Sequence, residues 1–124
     1  MTLSAYSELS AEELISLYID AATKHALASE SGDPEAANKN YQVITEVYGE
    51  LRSRSAEHAM LPLLSHENMS VRGWAATHAL EFAPEAGETQ LQTIAQGRGI
   101  AAFDARMTLR EWHAGRLRFP PRRH

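Results

Sequence analysis

The sequence predicts an all-α chain of about six helices, the later ones stacked as helical hairpins. Three observations predict it. Apolar residues recur every three or four positions through most of the chain, and no segment alternates with the period of two that marks a strand. Helix start and stop signals bracket each apolar run. The apolar pattern of the second half repeats after 29 to 30 residues.

The first helix begins at Ser10-Ala11-Glu12-Glu13, a capping box in which the Ser10 hydroxyl and the Glu13 carboxylate each accept from the other's backbone N–H. Leu9 and Leu14 flank it at the spacing of a hydrophobic staple. Leu14, Leu17, Tyr18, Ala21, His25 and Ala28 then form one helical face, which Gly32 ends. Asp33-Pro34 restarts the chain as cap and first helical residue, and Ala37, Tyr41, Ile44, Tyr48 and Leu51 make the next stripe. A third, shorter helix over 56–64 carries Met60, Leu61 and Leu64. The polar turn 65–69 leads to Ser70, expected as the cap of a fourth helix reaching Phe82. Pro84 opens a fifth, with Leu91 and Ile94 on its apolar side, broken by Gly97-Arg98-Gly99. The sixth runs from Ile100 to His113, and Gly115 closes it.

This reading places a single domain at 1–115, with a long hairpin at 9–54 and two shorter hairpins at 56–114, before a basic tail at 116–124 expected to be extended or disordered. A chain of 124 residues, 44% apolar and 23% charged, is long enough to bury a core without staples. It has no cysteine, which excludes disulfides, thiolate metal sites and cysteine nucleophiles. MTLSAYSELSAEEL lacks a basic n-region and a long apolar run, and no stretch approaches a membrane span, so a cytoplasmic protein is expected.

The net charge of −4 hides an asymmetry. Residues 1–97 carry 14 acids and 5 bases, whereas residues 98–124 carry 7 arginines against Asp104 and Glu111. Complementarity to the acidic body and to the negative end of the last helix accounts for such a terminus.

The repeat aligns Val71 with Ile100, Trp74 with Phe103, Ala76 with Ala105 and Leu80 with Leu109, and in the preceding helices Leu61 and Leu64 with Leu91 and Ile94. Size and apolarity are kept rather than identity, as expected of units that bury a face by stacking on a neighbour. LPLLSHENMSVRGWAATHAL resembles the HEAT repeat, with a proline in its first helix, a Leu-Leu pair, a polar turn, then Val71-Arg72 and the small Ala75 and Ala76. Through VRGWAATHAL and MTLREWHAGRL the chain is similar to a bacterial family of short HEAT-like proteins catalogued as a domain of unknown function. The resemblance implies an αα-superhelix of HEAT/ARM-like type and carries no activity with it. His66 stands where the repeat has its turn aspartate, so the Asp–Arg ladder of such repeats is in doubt and Arg72 is expected to be free for another partner.

Signals for chemistry are weak. No two of the six histidines fall three to five apart on a common helix face, so no metal site is expected. Gly97-Arg98-Gly99 lacks the preceding strand and the longer signature of a phosphate loop, and reads as an inter-helix turn. Neither a catalytic residue nor a cofactor site is expected.

A contact surface remains. Trp74 and His78 share one side of the fourth helix, and Phe103 and Met107 are their equivalents on the sixth, so stacking would set all four along one seam. Packing between repeats is the favoured account of that seam; the alternative is a patch on the wall of a groove. Arg72, Trp74, His78, Arg106 and Arg110 are the candidate partner-binding residues, with Arg106 and Arg110 an i, i+4 pair suited to a carboxylate or phosphate. Trp112 is expected to cap the end of the stack. The function expected is a non-enzymatic protein-binding module, an adaptor or an immunity-type protein. The alternative is nucleic-acid binding through Arg98, Arg106, Arg110, Arg116, Arg118 and the tail. An enzyme assembled only by the fold, and a homodimer formed at the exposed end of the stack, stay open.

Overall fold

A computed structural model describes residues 5–119. Residues 1–4 and the Pro120–His124 part of the predicted tail lie outside the described residues. The described chain is all-helical: α1 (Ala11–Ser31), α2 (Pro34–Ser53), a 3₁₀ helix (Glu57–Ser65), α3 (Met69–Phe82), α4 (Pro84–Ala95) and α5 (Ile100–His113). Two compact units divide it, one ending at Ala59 and the other covering Met60–Phe119.

The first unit is the hairpin of α1 and α2. The capping box forms as expected: Glu13 N–H donates to Ser10 Oγ at 3.1 Å, and Ser10 N–H donates to Glu13 Oε1 at 2.9 Å. Gly32, at φ 72°, turns the chain while Asp33 N–H donates to the Ala28 carbonyl at 2.8 Å. Leu14, Tyr18, Ala21 and Ala22 of α1 and Ile44, Val47, Tyr48 and Leu51 of α2 are fully or almost fully buried. The stripe of α2 therefore runs 44-47-48-51, and Tyr41, expected in it, is 50% exposed. Burial, and to a lesser degree neighbouring Tyr48, hold the Tyr18 phenol well above its ordinary pKa.

The end of α2 is closed by a Schellman arrangement built on a residue other than glycine. Ser55 N–H donates to the Arg52 carbonyl at 3.0 Å and Ala56 N–H to the Leu51 carbonyl at 2.8 Å. Ser55 takes φ 56° to do so, the positive φ that Gly32 and Gly115 adopt at the ends of α1 and α5. Below it, buried Glu50 accepts from Arg54 Nε at 2.8 Å, and Arg54 Nη2 donates to the carbonyls of Tyr6 and Ser7. This charge-assisted group ties residues 6 and 7 to the end of the helix.

The short element over 57–65, most of it in the second unit, departs from the expected α-helix. Pro62 lies inside it and has no N–H to donate, and the tighter 3₁₀ winding sets residues three apart on one edge, so Met60 and Leu63 are buried while Leu61 is only partly covered. The cap of α3 also differs from expectation. Asn68 rather than Ser70 caps it, its Oδ1 accepting from Ser70 N–H at 2.8 Å and Val71 N–H at 3.3 Å.

Ala83 ends α3 and begins α4 at once, with Pro84 as the first residue of α4. That abrupt corner lays α4 back along α3, and Gly87 sits at the crossing. A Cβ on Gly87 would lie 2.6 Å from the Ala76 carbonyl oxygen and 2.9 Å from Leu80 N, both backbone atoms of α3. Leu80, Leu91, Ile94, Ala76 and Ala105 then form one buried cluster drawn from α3, α4 and α5, and Leu64, Leu109 and Trp112 pack against it. Helices α3 and α5, matched by the sequence repeat, thus share a core through α4. Trp112 covers it as expected. Leu117 and Phe119, expected in a free tail, pack against it too.

Replacing Gly87 by alanine should force α4 off α3 and lower stability by about 1–3 kcal/mol, the usual effect of overpacking. Ser55→Gly should act oppositely and raise stability by up to about 1 kcal/mol by relieving the left-handed strain. Urea unfolding monitored by circular dichroism checks both signs.

Candidate functional site

Helix α5 is two heptads long and buries one side only. Ala102 and Ala105 are buried, and Ala101, Leu109 and Trp112 are partly covered beside them, which at 100° per residue defines a single face. Roughly opposite stand Ile100, Phe103, Met107 and Arg110, at the three-and-four spacing of a continuous strip. Ile100 is 55% exposed and Phe103 56%. The equivalent face of α3 looks different: Val71 is fully buried and Trp74 half-buried.

Charge borders the strip on both edges. Arg106 lies beside Phe103 and Arg110 on one edge, and Asp104 and Glu111 on the other. Arg106 Nη1 donates to the Ala95 carbonyl at 2.8 Å, anchoring α5 to the negative C-terminal end of α4. Glu111 Oε2 accepts from Arg116 Nε at 2.7 Å. The Arg110 side chain, exposed, makes no hydrogen bond or ion pair with another described residue. His113 Nε2 lies 2.8 Å from Glu88 Oε2 and links α5 to α4 a second time.

The five predicted partner-binding residues divide. Arg106 and Arg110 share the exposed side of α5 with Phe103. Arg72, expected to be free, is engaged: its Nη1 donates to the His66 carbonyl at 2.6 Å and to the Glu67 carbonyl at 3.2 Å. With the turn aspartate absent, the guanidinium takes the carbonyls of the turn itself, and His66 Nδ1 accepts from Asn68 N–H at 3.0 Å. His78 is 5% exposed and cannot touch a partner; its ring lies 6.1 Å from that of half-buried Trp74. The expected seam joining Trp74 and His78 to Phe103 and Met107 is not made by all four, because α5 turns Phe103 to solvent. Ile100 was not among the predicted contact residues, since its alignment with Val71 suggested core. The signal that finds it is phase: 100-103-107 runs half a turn out of step with 102-105-109-112.

Elsewhere, Asn38, Tyr41, Gln42, Thr45 and Glu46 line a shallow depression of about 460 Å³. All five stand on one face of α2, so it is an open surface rather than an enclosed cleft. Among the described residues no three His, Asp or Glu side chains converge as a metal site would require. No helix of the described chain is long and apolar enough to cross a membrane.

Residues 12–113 match the family described as a domain of unknown function, DUF2019. The chain belongs to this family. The crystal structure of the protein RPA1889 from Rhodopseudomonas palustris CGA009 is similar to this DUF2019 chain, with a TM-score of 0.87 and 26% sequence identity over 97% of this chain and 100% of that one. No curated protein matches the chain.

Truncating Arg72 to alanine should cost about 1–2 kcal/mol by leaving the turn carbonyls without their charged donor, whereas Arg110→Ala should stay within about 0.5 kcal/mol of the parent. Chemical unfolding of the two variants side by side separates a structural arginine from a surface one.

Proposed function

We propose that this DUF2019 chain is a non-enzymatic protein-interaction module, bacterial and cytoplasmic, in which Met60–Phe119 acts as a short HEAT-like stack and the outer side of α5 is the contact surface. The observation that carries the proposal is the exposure of Ile100 and Phe103 side by side on a helix whose other face is firmly packed. Both side chains are already almost half covered, so burying the remainder under a partner contributes roughly 1–1.5 kcal/mol each. A rigid helix presents them without the entropy cost of ordering a loop. Arginines beside aromatic anchors make such a surface selective as well as adhesive.

The arginine pattern supports a protein partner over a nucleic acid. Of the cations that would grip a phosphate backbone, Arg116 is paired with Glu111, Arg118 Nη1 reaches the Gly115 carbonyl at 3.4 Å, and Arg106 is drawn by one of its N–H groups to the Ala95 carbonyl. Among the described residues of this region Arg98 and Arg110 are left without such a tie, fewer than the clustered basic face that nonspecific binding requires; Arg122 and Arg123 lie outside the described residues.

A tagged chain immobilised at high density as bait in lysate of its native cells should retain a protein, a second copy included. Phe103→Asp should reduce that recovery by tenfold or more, the scale of losing a hot-spot aromatic, with an unchanged circular dichroism spectrum. Glu85→Lys, on an exposed position of α4, should leave recovery unaltered. Failure of the parent chain to retain any protein, or equal recovery with Phe103→Asp, would overturn the proposal.

A further inference from the structure

The borders of the α5 strip carry a pattern that specifies what covers it. With Ile100 at position a of a heptad, Phe103 falls at d, Met107 at a and Arg110 at d. Ala105 and Trp112 fall at f, farthest from that seam, and these two face the chain's own core. The seam positions and the core positions are thus on opposite sides of one helix, the arrangement of a helix able to pair outward while packed inward.

The flanking charges decide the orientation. Position g holds Arg106, and the two e positions hold Asp104 and Glu111. When two such helices run parallel, the g residue of one faces the e residue five places on in the other; when they run antiparallel, g meets g and e meets e. Parallel pairing of two copies therefore sets Arg106 against Glu111 of the second copy, twice by symmetry. Antiparallel pairing sets arginine against arginine and acid against acid. An unrelated acidic helix would satisfy the arginine edge and be repelled by the acidic one. A second copy in parallel register satisfies both edges at once, while the two Arg110 side chains meet at the C-terminal end of the seam, where their long stems let the charged ends part into water.

We propose that α5 pairs with α5 of a second copy, parallel and about a two-fold axis that runs along the Ile100-Phe103-Met107 strip. The proposal rests on the reading of this strip as a contact surface and names its occupant. Two heptads are too short to associate as free peptides, because nucleating a helix is costly, but α5 is already folded against α4. The area is small beside the roughly 800 Å² per partner of a standard stable interface, so association is weak and rises with concentration. Glu111 keeps a free carboxylate oxygen for the second copy's Arg106 while Arg116 holds the other.

The absence of cysteine gives a clean test. Ile100→Cys and Arg110→Cys each introduce a single thiol at a seam position, about 15 Å apart along the helix at 1.5 Å per residue. In the parallel pair each meets its own copy within the 4.4–6.8 Å Cα separation of a disulfide, roughly. Under mild oxidation of the purified full chain at about 100 μM, both should form disulfide-linked dimers about tenfold faster than the control Thr93→Cys on the exposed side of α4, reflecting a millimolar effective concentration at the seam. Adding Arg106→Glu to Arg110→Cys should remove that advantage, and adding Glu111→Arg as well should restore it. Rates equal to the control for both seam thiols, acceleration of only one of them, or acceleration indifferent to Arg106→Glu would each overturn the pairing. If the seam thiols behave like the control while Phe103→Asp still abolishes capture of another protein, self-pairing is overturned and the contact surface stands.

Discussion

The approach of α4 to the backbone of α3 at Gly87 is the contact on which the second unit depends. The Ala76 carbonyl occupies the space that a side chain at position 87 would need, so α4 lies against α3 at the distance only a glycine permits. The corner at Ala83-Pro84 aims α4 there, since one residue ends one helix and begins the next. With α4 seated, Leu91 and Ile94 are presented to α3 and α5 together, and both helices bury their small and aliphatic residues on the same cluster. The surface of α5 is a consequence of this order. Once Ala102, Ala105 and Leu109 turn inward, Ile100 and Phe103 have nowhere to go but outward.

The polar contacts reinforce the same geometry at its margins. Arg106 and His113 fasten the middle and the C-terminal end of α5 to α4, one through a helix-terminal carbonyl and the other through Glu88. Gln90 Nε2 donates to the Leu64 carbonyl at 2.9 Å and links α4 to the end of the 3₁₀ helix. Arg72 holds the turn before α3. Arg106, Gln90 and Arg72 each answer a backbone carbonyl at or just past an element's end, where helix geometry leaves acceptors over. They fix where α5 sits and in which phase, and phase determines which of its residues reach solvent.

What could be read from the residues alone followed from local rules. The Ser10–Glu13 box, the left-handed Gly32, the Asp33-Pro34 restart and Gly115 after α5 are each set by interactions spanning a few residues, and all form where expected. The choice of Asn68 over Ser70 as a cap was a contest between two competent residues two places apart. The third element was expected as an ordinary helix with Pro62 in it, and its 3₁₀ winding depends both on the N–H that Pro62 lacks and on what Met60 and Leu63 pack upon. Gly87 gives no local hint of its role, because an isolated helical glycine becomes meaningful only when another backbone lies against it. For the site, the arginines of α5 were legible as a pair on a polar face. The fates of Arg72, His78 and Phe103 were set by contacts between elements, and the sequence repeat misled there: it equated Phe103 with Trp74 although α5 has one packed side and α3 has residues buried across about 200° of its circumference, at 100° per residue.

The central claim is that α5 packs by Ala102, Ala105 and Leu109 and turns Ile100 and Phe103 away. Hydroxyl-radical footprinting of the dilute native chain, resolved residue by residue by mass spectrometry, reads that division most directly. The account predicts rapid labelling at Phe103 and Ile100 and strong protection at Leu91, Ile94 and Leu80. Protection of Phe103 at dilutions where the chain is monomeric, together with labelling of Leu91 or Ile94, would contradict it.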